Sequence, residues 1–256
     1  MGHIARLLGL LGGHSAFEPT DGCVLWFAAR KLAGYADGDA LAVAIPDLSQ
    51  AGNTITPVNS PAFQSGAADL INNHPVVRTV VADTSYFTSH GVSTIATGTD
   101  QPFYINWVSK LAAVDANQVL WGFGRSTSST PQTQFITAGS AVWTVGRRDD
   151  AAASLSGNRG TKDLNWHLHT FWFDGTTARL YDGGVQQGTD LALDVGAITL
   201  DRFTIGAIVK TVASGYCGMD LAEFIVHSGT LTAGYMNQIG SWLGKLYALS
   251  WTNISF

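Results

Sequence analysis

The chain has 256 residues, of which 46% are apolar and 13% are charged, and its formal net charge at pH 7 is −5. This composition excludes a disordered chain, and the many glycines and aromatic residues are typical of short strands joined by tight turns. The densest basic segment, Arg147-Arg148, is followed by Asp149-Asp150, so we expect no nucleic-acid partner. No apolar run reaches the ~18 residues of a membrane span, and we expect none.

The first twenty residues predict an N-terminal arm rather than a signal peptide. The apolar part, Leu7–Leu11, is preceded by a single arginine, and it is shorter than the ~7–15 residues of a signal-peptide core. We expect this arm (1–20) to pack on its own domain or on a neighbouring subunit. Neither an internal repeat nor a low-complexity linker follows, so residues 21–256 are predicted to form one domain.

Apolar runs between turn residues predict strands along the first 150 residues. Three intervening stretches (50–68, 125–132 and 149–162) are polar and are predicted as loops. The predicted strands are Cys23–Ala28, Ala40–Ile45, Pro75–Val81, Ser85–Ser89, Ile95–Thr97, Phe103–Leu111, Gln118–Gly124, Thr133–Thr137 and Ala141–Arg147.

A β-meander is predicted from Asn165 onward. Asp174-Gly175 separates two β-rich runs, Asn165–Phe173 and Thr176–Tyr181, and Asp-Gly favours the type I′ turn of a hairpin. A second turn, Asp182-Gly183-Gly184, reverses the chain again, and Thr199–Ile205 and Met219–His227 are the last predicted strands. This pattern predicts an all-β, antiparallel domain.

One helix is predicted between Thr232 and Tyr247. Apolar residues recur there at helical spacing and Thr232 is a suitable N-cap. We expect the stripe formed by Tyr235, Ile239, Leu243 and Leu246, widened by Trp242, to lie against the sandwich.

Two cysteines, Cys23 and Cys217, lie beside predicted strands. They are predicted to be buried thiols. A single disulfide is the alternative, if the strands that carry them are neighbours. Their spacing excludes a cysteine-based zinc site.

Three segments together resemble the concanavalin A-like lectin/glucanase superfamily in its laminin-G-like form. They are Val24–Ala28, the stretch from Trp166 through Val185 to Phe203–Gly206, and Gly218–His227 with the helix that follows. The resemblance extends over roughly residues 20–250 and implies a jelly-roll sandwich of two curved antiparallel sheets. In that superfamily the concave face or its rim loops often bind sugar, sometimes with calcium, and copies occur in virion and phage tail or capsid proteins.

Catalytic motifs are scarce in this sequence. The Glu-x-Asp-x-x-Glu or Glu-x-Asp-x-Glu strand motif of the glucanase branch is missing, and the chain holds two glutamates, Glu18 and Glu223. Glycoside hydrolysis needs a pair of carboxyl groups. Glu223 lies in an apolar strand, so we expect a partly buried carboxylate that accepts backbone or side-chain hydrogen bonds. The sequence therefore predicts a protein that is not an enzyme.

Metal-binding patterns are incomplete. His167 and His169 share one face of a strand, but no further His, Cys or Glu lies nearby in sequence, so we predict no metal site and no cofactor. Calcium remains possible at two loops, Asp37-Gly38-Asp39 and Asp182-Gly183-Gly184, although both sequences are also typical of plain turns.

Aromatic residues of the middle strands are the candidates for sugar contact. Trp107, Trp121 and Trp143 lie there, and core packing is the alternative for each. Trp143 and Arg147 share one strand face by parity, and we select these two as the candidate ligand-binding residues.

The hypothesis from the sequence is a non-catalytic virion structural, decoration or tail-associated protein of a bacteriophage, with a lectin-like fold. Its partners would be capsid or tail subunits, contacted through the arm, and a cell-surface glycan. The alternatives are a secreted, extracellular carbohydrate-binding lectin and a polysaccharide-degrading enzyme.

Overall fold

The computed structural model describes residues 17–19, 22–114, 117–138, 141–230 and 232–256. Residues 1–16, which hold most of the predicted arm, lie outside the described residues. The division into an arm and one domain therefore stays a prediction.

The described residues form nineteen strands and one α-helix. In chain order the strands are β1 (Cys23–Ala28), β2 (Ile45–Pro46), β3 (Thr54–Val58), β4 (Ala62–Gln64), β5 (Val76–Thr79), β6 (Tyr86–Ser89), β7 (Phe103–Leu111), β8 (Gln118–Arg125), β9 (Ser128–Ala138), β10 (Val142–Arg148), β11 (Ser154–Thr161), β12 (His167–Phe173), β13 (Thr177–Asp182), β14 (Val185–Gln186), β15 (Leu191–Ala192), β16 (Arg202–Ile205), β17 (Ile208–Val209), β18 (Ala213–Ser214) and β19 (Met219–Ser228).

These strands build two antiparallel sheets that pack face to face. The helix-side sheet has the order β14-β13-β12-β7-β19-β5-β4, and β1 and β15 pair with β19 and β13. The outer sheet has the order β11-β10-β9-β8-β16-β6-β3-β2, and β17 and β18 form a separate hairpin. Strands distant in sequence are neighbours in both sheets, as in a jelly roll. The predicted all-β antiparallel sandwich is confirmed.

Aromatic side chains fill the space between the sheets. Phe103 and Trp107 of β7 and Phe171 of β12 pack from one side, against Trp121 and Phe123 of β8 from the other. All five are fully buried. The opposite face of the helix-side sheet is also covered, since Leu168 and Trp172 of β12 pack under the helix. Burial on both faces explains why β12 lacks an apolar-polar alternation.

The helix, α1 (Ala233–Tyr247), confirms the predicted element and its cap. The Thr232 hydroxyl accepts a hydrogen bond from the Tyr235 amide at 3.2 Å. The fully buried stripe of the helix consists of Met236, Ile239, Leu243 and Tyr247. Ile239 and Leu243 were predicted, whereas Met236 and Tyr247 take the places predicted for Tyr235 and Leu246. Tyr235 and Leu246 lie half-buried beside this stripe, because the helix packs on the sheet with the side that carries Tyr247.

Several predicted loops are strands. The polar stretch 149–162 contains β11, which pairs along β10 as an edge strand. The stretch 50–68 contains β3 and β4, and the stretch 125–132 contains the start of β9. These strands have exposed or mixed faces, so their sequences lack the apolar pattern that predicts a strand. Conversely, the predicted strand Ile95–Thr97 is wrong, because the chain forms a 3-10 turn over Gly91–Ala96.

Both cysteines are free and buried. Burial raises the pKa of each thiol to about 12, so both are neutral, apolar side chains at physiological pH. The prediction of buried thiols is confirmed, and the disulfide alternative is wrong.

Candidate functional site

The two ligand-binding residues selected from the sequence point into the sandwich. Trp143 and Arg147 share the inner face of β10, as parity predicted, and are 3% and 2% exposed. The Arg147 guanidinium donates to the Leu193 carbonyl at 2.7 Å and lies 4.3 Å from the Phe173 ring centroid. Because a surface ligand does not reach these side chains in this arrangement, we base the candidate site on other residues.

The Glu223 carboxylate is completely buried under the helix. It accepts hydrogen bonds from the Trp26 indole N–H and the Tyr247 hydroxyl, and lies 3.3 Å from the Arg30 guanidinium. Burial raises its pKa, against the opposing effect of Arg30. The predicted hydrogen-bonded carboxylate is confirmed, and its burial is complete rather than partial. Since no part of it is exposed, it is not available to a substrate.

The carboxylates of the first candidate calcium loop are occupied by backbone amides. Asp37 accepts from the Ser65 and Gly66 amides at 2.7 and 2.8 Å, and Asp39 accepts from the Ala36 amide at 2.7 Å. These bonds have the role that Asp has in a plain turn.

The second candidate loop takes part in a His–carboxylate cluster, which we define as Asp163, His167, His169 and Asp182. His167 and His169 lie on one face of β12, with ring centroids 5.1 Å apart. Asp182 ends β13 and is the register partner of His169. The His167 imidazole contacts Asp182 through Nδ1 and Asp163 through Nε2, each at 2.8 Å.

The two aspartates hold a proton on His167. The hydrogen bond with Asp182, supported by that with Asp163, outweighs burial and raises the His167 pKa to about 9. The His167 hydrogen bond lowers the pKa of Asp163 to about 2. Burial acts to raise the pKa of Asp182, but the hydrogen bond from His167 and the charge of that imidazolium lower it overall. An imidazolium therefore lies between two carboxylates at neutral pH.

His169 differs from its neighbour because it is inside the sandwich. It is 2% exposed, stacks on Trp107 with centroids 5.1 Å apart, and meets Trp143 edge-on at 5.4 Å. Burial lowers its pKa to about 4, so this imidazole is neutral at physiological pH.

An open hollow of about 340 Å³ lies beside the cluster, and its wall combines apolar and polar groups. The β12–β13 side supplies an indole, an imidazole and a carboxylate, and the segment after the helix supplies two hydroxyl-bearing residues. The lining residues are Trp166, His167, Leu168, Asp182, Gly183, Val185, Leu249, Ser250 and Thr252.

The Asp182-Gly183-Gly184 turn contacts the C-terminal segment that forms one wall of the hollow. The Thr252 amide donates to the Gly183 carbonyl at 2.7 Å. Gly184 has φ +80°, and a Cβ atom there would lie 1.8 Å from the Thr252 carbonyl oxygen. A side chain is therefore excluded at Gly184 both by the backbone conformation and by the close approach of residue 252.

The arrangement is suited to binding rather than to glycoside hydrolysis. Asp163 and Asp182 flank the same imidazole, but the pKa of each is held low. A glycosidase needs one carboxylic acid that keeps its proton, and neither aspartate meets that requirement. The cluster does offer fixed hydrogen-bond acceptors, a cationic donor and ligand atoms for a metal ion.

The sequence contained signals for this site that our prediction did not combine. Trp166, the His167/His169 pair and the Asp182 turn all lie in the predicted meander. We judged the histidine pair by its neighbours in sequence, whereas β-pairing supplies Asp182. The contribution of residues 249–252 has no local signal, because it depends on how the chain returns after the helix.

Comparisons with known proteins give similarity at the level of the fold. The binding domain of Paraclostridial Mosquitocidal Protein 1 matches with a TM-score of 0.62 at 10% identity over 86% of this chain and 52% of that one. Botulinum neurotoxin type C, whose cell entry depends on interaction with two ganglioside molecules, gives 0.60 at 12% identity over 87% and 51%. The binding domain of botulinum neurotoxin DC, in complex with rat synaptotagmin II, gives 0.60 at 11% identity over 87% and 52%.

At these identities the similarity shows the fold alone, and the chain spans about half the length of each of these structures. No protein-family model matches the sequence, and no curated protein matches it. Within the described part of the chain, no helix is long and apolar enough to cross a membrane.

Proposed function

We propose that the protein is a non-catalytic, lectin-like glycan-binding module, and that the hollow beside His167 holds one sugar residue. The observation that carries this proposal is the composition of the hollow. It joins the Trp166 indole to the Asp182 carboxylate, the protonated His167 and the Ser250 and Thr252 residues in one open site.

The chemistry of sugars matches these groups. A pyranose has an apolar C–H face, which packs on an aromatic ring, and hydroxyl groups that need both donors and acceptors. Asp182 accepts, and the hydroxyl groups of Ser250 and Thr252 can each donate or accept. The volume of about 340 Å³ lies within the ~300–1,000 Å³ range of small-molecule sites.

The fold supports the same class of function. Binding domains of neurotoxins adopt it, and cell entry of one of those toxins depends on gangliosides. Because this chain corresponds to about half of each toxin structure, the similarity supports only the use of the fold as a binding scaffold. The location of the sugar site rests on the composition of the hollow.

Binding to a glycan array, followed by affinity measurements on the best glycan, tests the proposal. Trp166→Ala and Asp182→Asn should each weaken binding at least tenfold. Trp242→Ala is the matched control, since that half-buried tryptophan lines a separate hollow of about 180 Å³ with Glu18, Trp26 and Arg30, and it should leave the affinity unchanged. Loss of binding in the control alone would indicate that the sugar binds in the hollow beside Trp242. No retained glycan would reject the proposal.

The enzyme alternative has a direct test. Turnover of any polysaccharide that is lost in Glu223→Gln, while the variant stays folded, would contradict the proposed non-catalytic role. Turnover that this variant retains would make Asp163 and Asp182 the candidate catalytic residues instead.

We further propose that this module acts on a virus-like particle, as a virion structural, decoration or tail-associated protein of a phage. The supporting observations are the apolar run Leu7–Leu11 in the N-terminal arm and the low charge content. Such an arm would bury its leucines against a capsid or tail subunit. A secreted lectin is the alternative, and it needs no such contact.

Self-association and co-purification separate these two roles. The full chain should associate at high concentration or co-purify with capsid or tail proteins, and deletion of residues 1–16 should abolish this. A protein that stays monomeric and partner-free with the arm present would favour the secreted lectin.

A further inference from the structure

We infer that His167, His169 and Asp182 form a binding site for a divalent transition-metal ion. One ligand atom from each of these three residues lies within 4.8 Å of the other two. Among the described residues, this is the group of three or more His, Cys, Asp or Glu side chains that meets that criterion. The inference does not require that the hollow bind sugar.

The three ligands stand on paired strands. His167 and His169 are the first and third residues of β12, and Asp182 is the register partner of His169 on β13. Paired strands hold their Cβ positions, so the ligands are brought together before an ion arrives. This arrangement lowers the conformational entropy lost on binding, compared with ligands on a loop.

Loss of the His167 proton and a rotation of its side chain complete the site, because an imidazolium has no free lone pair for a metal ion. In tetrahedral zinc sites the Zn–N distance is about 2.0–2.1 Å, which places neighbouring ligand atoms roughly 3.4 Å apart. The imidazole planes here lie 28° apart, and a shared ion lies in the plane of each ring that binds it. Trp107 and Trp143 hold the His169 ring, so the half-buried His167 ring has to rotate towards an ion that lies in the plane of His169.

The ligand atoms select the class of metal. Two imidazole nitrogens with one carboxylate suit Zn²⁺, Fe²⁺, Ni²⁺ or Cu²⁺. Calcium takes oxygen ligands, so the cluster does not fit the calcium ion that the Asp182 loop first suggested. Asp163, 2.8 Å from His167 Nε2, lies on the opposite side of the ring from Asp182 and helps to orient that imidazole.

The surroundings resemble those of an open metal site rather than a closed structural one. Trp107 and Trp143 pack on the ring of His169, which fixes its orientation as outer-shell contacts do. His167 and Asp182 also line the hollow of about 340 Å³. A metal held here would therefore keep one coordination position towards the hollow, where a solute oxygen can bind.

Zinc titration of the chelator-treated full chain, followed by calorimetry, tests this inference. We expect one ion per chain. His167→Gln, Asp182→Asn and His169→Phe, the last of which keeps an aromatic ring against Trp107, should each weaken zinc binding at least tenfold. His90→Gln is the matched control, because His90 is exposed and outside the cluster, and it should bind zinc like the wild type. Circular dichroism verifies that each variant is folded.

Two further readouts make the outcome decisive. Co²⁺ bound at the site should give the visible absorption of a nitrogen- and oxygen-ligated ion, and His167→Gln should remove that absorption. Absence of binding, or binding that all three cluster variants retain, would overturn the inference. Glycan affinity is measured separately with and without zinc, so a failure of the sugar proposal leaves the metal result unaffected, and the reverse also holds.

Discussion

The His167 Nδ1 atom lies 2.8 Å from Asp182 Oδ2, and these two residues belong to adjacent strands joined by the Asp174-Gly175 turn. The hairpin thus carries an imidazole on one strand to a carboxylate on the next. Asp163, on the other side of the ring, connects the loop before β12 to the same imidazole. The structure therefore links three chain segments through one side chain.

The first prediction concerns the pH dependence of stability. The folded-state pKa of His167 is raised from 6.5 to about 9, so its contribution is fully present below about pH 6.5 and is lost as the pH rises through 9. We expect the free energy of unfolding to fall across this window by on the order of 2 kcal/mol, allowing for the partial exposure of the pair. Urea unfolding between pH 6 and 10 measures it.

His167→Gln is the control for that window. It removes the titrating group, so the decline between pH 6.5 and 9 should flatten. The pKa of both thiols is raised from 9.0 to about 12 in the folded chain, so ionisation of the unfolded chain lowers stability above about pH 8 in the wild type and the variant alike. If the stability of this variant declines with pH as the wild type does, other titrating groups cause the decline.

The second prediction uses the two glutamates of the chain as a matched pair. Glu223→Gln leaves Arg30 without its buried anionic partner, and we expect the free energy of unfolding to fall by about 3 kcal/mol. Glu18→Gln changes an exposed side chain and should stay within ~0.5 kcal/mol of the wild type. Equal effects in denaturant unfolding would show that the Glu223 bonds contribute little.

The third prediction separates backbone strain from steric exclusion. Gly184→Ala introduces a Cβ atom 1.8 Å from the Thr252 carbonyl oxygen at φ +80°, whereas Gly38→Ala has φ +82° and nothing within 4 Å. Gly38→Ala should cost about 1 kcal/mol, and Gly184→Ala roughly 2 kcal/mol more. Amide hydrogen exchange at residues 249–256 should become faster in Gly184→Ala only, since the C-terminal segment loses its contact with the turn. Equal exchange in both variants would contradict this account of the turn.

The fourth prediction tests the residues that the sequence favoured for ligand binding. Arg147→Met removes the bond to the Leu193 carbonyl and the contact with Phe173, so we expect a loss of about 2–4 kcal/mol of stability. Trp143→Phe should cost about 1–3 kcal/mol through the space it leaves in the core. Glycan affinity of the folded variants should stay within twofold of the wild type. Lost affinity at unchanged stability would instead support the sequence-based selection.

Local sequence patterns determined the elements that bury continuous apolar surface. The limits of β1 and β7 coincide with the predicted ones, and the meander at Asp174-Gly175 and the helix after Thr232 were also found. The reason is physical: an apolar run needs cover wherever it lies, and a turn or an N-cap acts over a few residues. The turn at Asp174-Gly175 is not the predicted type I′, because Gly175 has a positive φ and Asp174 does not. The buried, hydrogen-bonded state of Glu223 followed in the same way, because an unpaired charge cannot remain in an apolar strand.

Only the tertiary structure decided what depends on strand pairing across the chain. The edge strand β11 is polar, and its register comes from β10. Parity placed Trp143 and Arg147 on one face, but it did not say that this face is the inner one. Asp182 completes the histidine pair through its position on β13, and residues 249–252 complete the hollow after the helix. Contacts between segments far apart in sequence have no local signal, because their free energy comes from surfaces that meet only in the folded chain.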